Sequence, residues 1–237
     1  MFYLIGLGLD VKGISIEGLE AVKKCQKAYL ESYTVELPYK VGELEKSLGK
    51  KVVELDRAAV ESEMFVEEAK KKDIAMLVYG SPLAATTHIS LLLKCKKENI
   101  PSKIIHSASV IDAIAETGLQ LYKFGKTASM PKWQGNYKPE SFIDIINENI
   151  KIKAHTLLLV DIGMPFSKSL KQLTEASANK VKIEKLVVCS RMGTREQDIL
   201  YNNISKLKKK KVKSPFCIII PSELHFIEEE ALRRFKN

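Results

Sequence analysis

A stretch of small and polar residues in the first third of the chain has the composition of a ligand-binding turn. Residues 79–88, YGSPLAATTH, follow the apolar run Ile74–Val78, whose length and β-branched content predict a buried parallel strand. A glycine and a proline end this strand, and Thr86 or Thr87 is expected to cap the next helix. Open α/β sheets bind ligands at such strand-to-helix turns. An ordinary connection between a strand and a helix would show the same local pattern.

Two other turns are predicted to reach the same edge of the sheet. The first is Gly6-Leu7-Gly8-Leu9 after the opening strand, and the second is 107–110, SASV, after the fifth strand. The first turn matches a dinucleotide fingerprint only in part, because Val11 stands where GxGxxG requires glycine. A nicotinamide or flavin site is therefore disfavoured, although two glycines still allow a ligand to approach the backbone closely.

The composition excludes several classes of protein. Hydrophobic residues make up 45% and charged residues 28% of 237 residues, which is typical of a folded globular chain. No apolar run is long enough to span a membrane and no signal peptide opens the chain, so a cytoplasmic protein is expected. The four cysteines are scattered without a CxxC pair and the four histidines are far apart, so no metal site is predicted.

Basic residues exceed acidic residues by 38 to 29, which gives a net charge of +9. Part of this excess lies in 206–213, KLKKKKVK. Such a run is most simply a solvated linker or helix end, and alternatively an electrostatic landing site for a large anionic partner. No aromatic residue is interleaved with the lysines, so direct binding of nucleic acid is not expected.

The elements that position these turns alternate strand and helix about five times in the first hundred residues. This pattern predicts a five-stranded, mostly parallel sheet with helices on both faces. One helix is expected over 58–72, and another with an apolar face that begins at Ile89 and runs through Leu92, Leu93 and Cys95.

The second half of the chain has a different pattern. Strands are predicted over 156–162, 185–189 and 216–220, with helices over 139–150, 167–178 and 222–235, and 119–133 is a loop or a strand. We therefore expect an α/β protein of two domains, residues 1–110 and 111–237, with a mixed sheet in the second domain and a ligand cleft between the two.

Five segments stand out in order along the chain: YLIGLGL at 3–9, GSPLAATTH at 80–88, HSASV at 106–110, GLQLYKFGKTASM at 118–130 and LHFIEEEAL at 224–232. Together they resemble the diphthine synthases, which are methyltransferases of the tetrapyrrole-methylase type.

The resemblance implies two α/β domains that hold S-adenosyl-L-methionine between them and release S-adenosyl-L-homocysteine. It implies methylation of the amino group on a modified histidine of translation elongation factor 2, in diphthamide synthesis, by a homodimer. Carried over by position, the cofactor contacts are Leu9, Ser81, Ala84, Ser109, Val110, Val160, Leu200 and His225.

One position departs from the family pattern, which has Gly-Asp-Pro where this chain has Gly80-Ser81-Pro82. A serine donates and accepts a hydrogen bond but carries no charge. Because a charge-assisted bond contributes about 1.5–3 kcal/mol, we expect weaker cofactor binding rather than none.

The chemistry that the resemblance implies requires positioning more than reactive side chains. Methyl transfer to an amine needs neither a metal nor a covalent intermediate, and it gains most from near-attack geometry in a water-poor cleft. His88 and His106 are candidates for a general base, but a histidine near a strand end is more often structural, and the sequence identifies no catalytic residue.

Two other functions remain open at this point. A corrinoid or porphyrin-precursor methyltransferase would keep the fold and change the acceptor. A non-catalytic protein that binds a nucleotide or a factor would account for the serine at position 81.

Overall fold

The computed structural model describes residues 1–236. The chain divides into two compact units, Met1–Ile111 and a second that begins at Asp112. Each unit is built around its own five-stranded sheet. Within residues 1–236, no helix combines the length and the apolarity that a membrane span requires.

The sheet of the first unit is entirely parallel, as the alternating pattern predicts. Its spatial order is β3-β2-β4-β1-β5. The strands are β1 (Phe2–Gly6), β2 (Lys27–Glu31), β3 (Val53–Leu55), β4 (Ile74–Val78) and β5 (Ser102–Ile105). The strand β1 therefore lies between β4 and β5, so the chain places the ends of three strands side by side.

Two layers of helices and turns cover this sheet. Alternate residues of the central strands enter different clusters: Leu4 and Met76 pack on one face, while Ile5 and Leu77 pack on the other. All four are fully buried, as expected for a parallel sheet that is covered on both sides. The helices are α1 (Ile16–Lys24), α2 (Val41–Leu48), α3 (Arg57–Glu61), α4 (Ile89–Lys97) and α5 (Val110–Ala113).

Two predictions about these helices are corrected by the structure, the first in full and the second in part. The expected helix over 58–72 is split into α3 and the 3-10 helix Met64–Lys70, because Glu63 adopts a left-handed φ of 54° that an α-helix cannot accommodate. The predicted apolar face of α4 is correct at Cys95, which is buried, and at Leu92, which packs against the core, but Ile89 and Leu93 are more than half exposed. Leu91, which was not predicted, completes the buried face with Cys95.

The sheet of the second unit is mixed, as predicted, with the order β6-β7-β10-β8-β9. Only β6 and β7 are parallel, and the other pairs are antiparallel. The strands are β6 (Ala128–Met130), β7 (Thr156–Val160), β8 (Lys185–Ser190), β9 (Asp198–Asn203) and β10 (Phe216–Ile220). The sequence did not predict β9, because the polar residues at both ends obscure its short buried centre.

Helices α6 (Ser141–Lys151), α7 (Phe166–Ser177), α8 (Ile204–Leu207) and α9 (Phe226–Arg233) complete the second unit. The first two pack Phe142, Ile146 and Leu170 into a core shared with the sheet residues Leu158 and Ile218. This core holds β7 and β9, and two of the predicted site residues lie on them, at the end of β7 and at the centre of β9.

Candidate functional site

Three bends meet at the carboxyl edge of the parallel sheet. The first bend (6–9) follows β1, the second bend (80–88) follows β4, and the third bend (107–110) follows β5. Because these strands are neighbours in the order β4-β1-β5, their bends are adjacent, although about one hundred residues separate the first from the last. This is the edge at which open α/β sheets bind ligands.

The first two bends are bonded directly to each other. The amide of Gly8 donates to the carbonyl of Gly80 at 3.1 Å, and the amide of Gly80 donates to the carbonyl of Gly8 at 3.0 Å. Both residues adopt left-handed φ angles, 70° and 76°, which favour glycine. The two glycines of the partial fingerprint and the turn motif thus form one rigid unit.

The third bend is tied to Gly13, a few residues beyond the first bend. The hydroxyl of Ser107 donates to the carbonyl of Gly13 at 2.8 Å. A Cβ added at Gly6 would lie 2.6 Å from the carbonyl oxygen of Gly80 and 3.1 Å from the Cβ of Ser107. Glycine at position 6 is therefore needed so that all three bends can pack closely.

Five of the eight predicted cofactor residues lie on these bends: Leu9, Ser81, Ala84, Ser109 and Val110. Leu9 is buried, and its carbonyl accepts a hydrogen bond from the hydroxyl of Tyr79 at 3.0 Å. The hydroxyl of Ser81 lies 3.4 Å from Nδ1 of His106, an exposed side chain.

The neighbouring positions form tight turns. The amide of Ala84 donates to the carbonyl of Ser81 at 3.0 Å. The hydroxyl of Ser109 accepts from the amide of Ile111 at 3.3 Å, and Val110 begins α5. Ser81, Ala84, Ser109 and Val110 are each partly exposed. The first unit therefore offers two hydroxyls and two apolar side chains to a ligand at this edge of the sheet.

The other three predicted residues belong to the second unit. Val160 is half-buried at the end of β7, paired with Met130 of β6. Leu200 is at the centre of β9, and its side chain is buried in the core of the unit. His225 is exposed and precedes α9, and its Nδ1 accepts from the amide of Ile227 at 3.5 Å.

The predicted cap of α4 does not form. Neither threonine caps the helix, and the hydroxyl of Thr86 instead donates to the carbonyl of Pro82 at 2.9 Å. His88 occupies the cap position without a side-chain bond to the helix. Its imidazole is almost fully buried, with Nδ1 3.2 Å from that same carbonyl, so it holds the second bend from inside.

Sequence analysis missed a buried charged cluster in the second unit. The carboxylate of Glu228 is fully buried and accepts from the amides of Gln120 at 2.9 Å and His225 at 2.8 Å. It also forms an ion pair with Lys123 and a hydrogen bond with Nε2 of His155 at 3.1 Å. No local pattern indicates this cluster, because Gln120 and Lys123 are more than one hundred positions away from Glu228 in the sequence.

The cluster keeps Glu228 ionised. Burial alone would raise its pKa, but the bonds from Lys123, Gln120, His225 and His155 outweigh it and lower the pKa to about 2. Burial lowers the pKa of His155, and the nearby carboxylate opposes this only in part. Nδ1 of His155 accepts from the amide of Ser222 at 3.0 Å, so the neutral ring donates through Nε2.

The same cluster joins two of the segments that carry the family resemblance. Residues 118–130 contribute Gln120 and Lys123, and residues 224–232 contribute Glu228. Gly118 has a φ of 83°, and a Cβ added there would lie 2.2 Å from the Cβ of Ala231 on α9. The two motifs therefore fit each other as one structure in the second unit.

Residues 1–208 match the sequence model of the Tetrapyrrole (Corrin/Porphyrin) Methylases. This chain belongs to that family. The resemblance seen in the sequence is confirmed, and membership of the family implies a methyl donor of the S-adenosylmethionine type.

Relatives in the family match this chain over nearly its whole length. Diphthine methyl ester synthase of Schizosaccharomyces pombe is 37% identical over 99% of this chain and 94% of its own length. Diphthine synthase of Methanocaldococcus jannaschii is 40% identical over 98% of each chain. A crystal structure of diphthine synthase superimposes with a TM-score of 0.90 at 35% identity, covering 99% of this chain and 95% of that one.

Proposed function

We propose that this chain is an S-adenosyl-L-methionine-dependent methyltransferase of diphthamide biosynthesis. Its substrate would be translation elongation factor 2, methylated on the amino group that a modified histidine carries. The observation that carries this proposal is full-length similarity, at 37–40% identity, to proteins named for that product. A corrinoid or porphyrin-precursor acceptor is the alternative that the family description itself keeps open.

The three bends fit the proposed cofactor. They present small residues, the hydroxyls of Ser81 and Ser109, and the apolar Leu9 and Val110, with none of the five predicted contacts in this unit basic. A neutral wall of this kind suits a ligand with a positively charged sulfur, because a nearby cation would repel it. The apolar side chains suit its adenine ring.

When bound, S-adenosyl-L-methionine supplies a methyl group on sulfur, and S-adenosyl-L-homocysteine remains. The residues of the chain would act by orientation. The bonds between Gly8 and Gly80 and the bond from Ser107 to Gly13 hold the bends rigid, so the hydroxyls of Ser81 and Ser109 need little reorganisation to contact a ligand. We propose Val160, Leu200 and His225 as the contacts contributed by the second unit.

Labelled methyl transfer tests the assignment directly. The purified chain is incubated with S-adenosyl-L-methionine labelled in its methyl group and with elongation factor 2 that carries the unmethylated precursor. A precorrin is the parallel substrate. Label in the factor and none in the precorrin is the expected result. Label in the precorrin alone would support the corrinoid alternative. No heat of binding and no thermal shift with millimolar donor would favour a non-catalytic protein.

The names of the relatives suggest a second product to test in the same assay, a methyl ester. The fungal relatives are named diphthine methyl ester synthase and the archaeal ones diphthine synthase, and their identities to this chain are nearly equal. Mass spectrometry of the modified peptide counts the methyl groups. Mild base then removes an ester but leaves N-methyl groups in place, so the two products are separated.

We also propose that the enzyme is a cytoplasmic homodimer. Support comes from exposed apolar side chains on two segments, 118–130 and 224–232. The hydrogen bond from the amide of Gln120 to the carboxylate of Glu228 connects these segments. These side chains are Leu121, Tyr122, Phe226 and Ile227. Light scattering after gel filtration should give twice the mass of the chain, and a mass of one chain would overturn the dimer.

A further inference from the structure

The lysine run of the second unit is an ordered turn rather than a loose tail. Its first part continues from α8, whose N-terminus is capped by the side chain of Asn203 accepting from the amide of Lys206 at 3.0 Å. The amides of Lys209 and Lys210 donate to carbonyls three residues earlier, at 3.1 and 3.0 Å. Leu207, which is 1% exposed, anchors the turn in the core.

The far end of the run is held as firmly. The hydroxyl of Ser190 donates to the carbonyl of Lys213 at 2.7 Å. The ammonium of Lys213 pairs with Glu196 at 3.1 Å, and Val212 packs against the core. The backbone between these two anchors is therefore fixed at both ends.

The lysines of this turn form no ion pairs among the described residues. Lys206 and lysines 208–211 are all exposed, and across residues 1–236 none of the five forms an ion pair with a carboxylate. Lys70, by contrast, contacts two carboxylates, at 2.6 and 2.8 Å. Five like charges held close together repel one another, which destabilises the fold unless an external anion balances them. We define these five residues as the lysine turn.

We propose that the lysine turn is the docking surface for an acidic face of the protein substrate. The inference rests on the proposed function. The positive charge of the lysine turn favours an anionic macromolecule as its partner, and the composition of residues 204–213 favours a protein over a nucleic acid. The run 204–213 contains no aromatic residue to stack on bases and no arginine to grip phosphate in a bidentate manner. Exposed ammonium groups on an ordered turn suit surface carboxylates, and they act mainly by steering the encounter of the two proteins.

The test compares two variants with the same change in net charge. In the first, lysines 208–211 are replaced by glutamine. In the control, Lys23, Lys24, Lys96 and Lys97 are replaced by glutamine; these are exposed lysines in the last turns of α1 and α4 that form no ion pair among residues 1–236. Circular dichroism and thermal unfolding show whether both variants fold like the wild type. Steady-state methyl transfer to elongation factor 2 is then measured at low and at high salt.

We expect the first variant to raise the KM for the protein substrate about tenfold at low salt, because steering of this kind changes association rates by about 10–10³-fold. Its kcat and its KM for S-adenosyl-L-methionine should stay at the wild-type values. The difference should shrink at about 1 M salt, where the screening length is only about 3 Å. The control variant should differ little from the wild type.

Four results would overturn the inference. An equal rise of KM in both variants would mean that net charge matters and the lysine turn does not, and no rise in either would remove the docking role. Binding of labelled single- or double-stranded RNA that is lost only in the first variant would assign the turn to nucleic acid instead. No transfer by the wild type would refute the proposed function, and this inference with it, whereas a fully active first variant refutes the inference alone.

Discussion

Replacing Glu228 by glutamine should cost the second unit a large part of its stability at neutral pH. The carboxylate is fully buried and makes four hydrogen bonds, and its pKa is lowered from the ordinary 4.5 to about 2. Each pKa unit corresponds to about 1.4 kcal/mol, so the charged form contributes about 3 kcal/mol to folding. Glutamine has nearly the same shape but leaves the ammonium of Lys123 without its anion.

The sign of the pH dependence follows from the direction of the shift. The folded chain holds the carboxylate as an anion more strongly than the unfolded chain does. The contribution is therefore complete above about pH 4.5, and it is lost as the pH falls through about 2. The Glu228→Gln variant lacks this carboxylate, so its unfolding free energy should change less between about pH 5 and pH 2 than that of the wild type.

Urea unfolding followed by circular dichroism, at about pH 7 and about pH 3, measures both effects. Glu148→Gln is the matched control, because Glu148 forms an ion pair with Lys126 at 2.6 Å but is more than half exposed, so its removal should have a much smaller effect. A loss below about 1 kcal/mol in Glu228→Gln at pH 7 would refute the reasoning, since it is no more than an ordinary hydrogen bond contributes. An unchanged pH dependence would refute it as well.

The remaining predictions concern three glycines and the serine of the second bend. Gly118→Ala should lower the unfolding free energy by about 1–3 kcal/mol, because the new methyl group would lie 2.2 Å from the Cβ of Ala231 and the φ is left-handed; urea unfolding measures it. Gly42→Ala, whose Cβ would meet no atom within 4 Å, should be neutral or stabilising in the same assay. Gly8→Ala should abolish binding of the methyl donor in calorimetry. Its Cβ would lie 2.6 Å from the carbonyl oxygen of Gly13 and 2.9 Å from the hydroxyl of Ser107, so the first and third bends would be pushed apart. Ser81→Asp should tighten the donor about tenfold to a hundredfold in calorimetry, by the reverse of the charge argument; unchanged affinity would show that this position does not contact it.

The family, the fold class and the position of the three bends could be predicted from the sequence because each depends on local patterns. A buried strand, a glycine turn and a helix start are encoded within about ten residues, as at Ile74–Val78 and the second bend that follows it. Parallel strands then place such turns at one edge whatever the details of packing. The split at Glu63 was not predictable in this way, because a residue other than glycine with a left-handed φ leaves no clear mark in the sequence.

Only the tertiary structure decided which residues of the second unit act together. Gln120 and Glu228 are 108 positions apart, and nothing in either segment indicates that one carboxylate serves both. The fixed shape of the lysine turn depends in the same way on Leu207 and Val212 entering a core made by distant strands. Buried charges and ordered turns are stabilised by partners that the fold brings together, whereas a strand or a glycine bend carries its own signal in the chain.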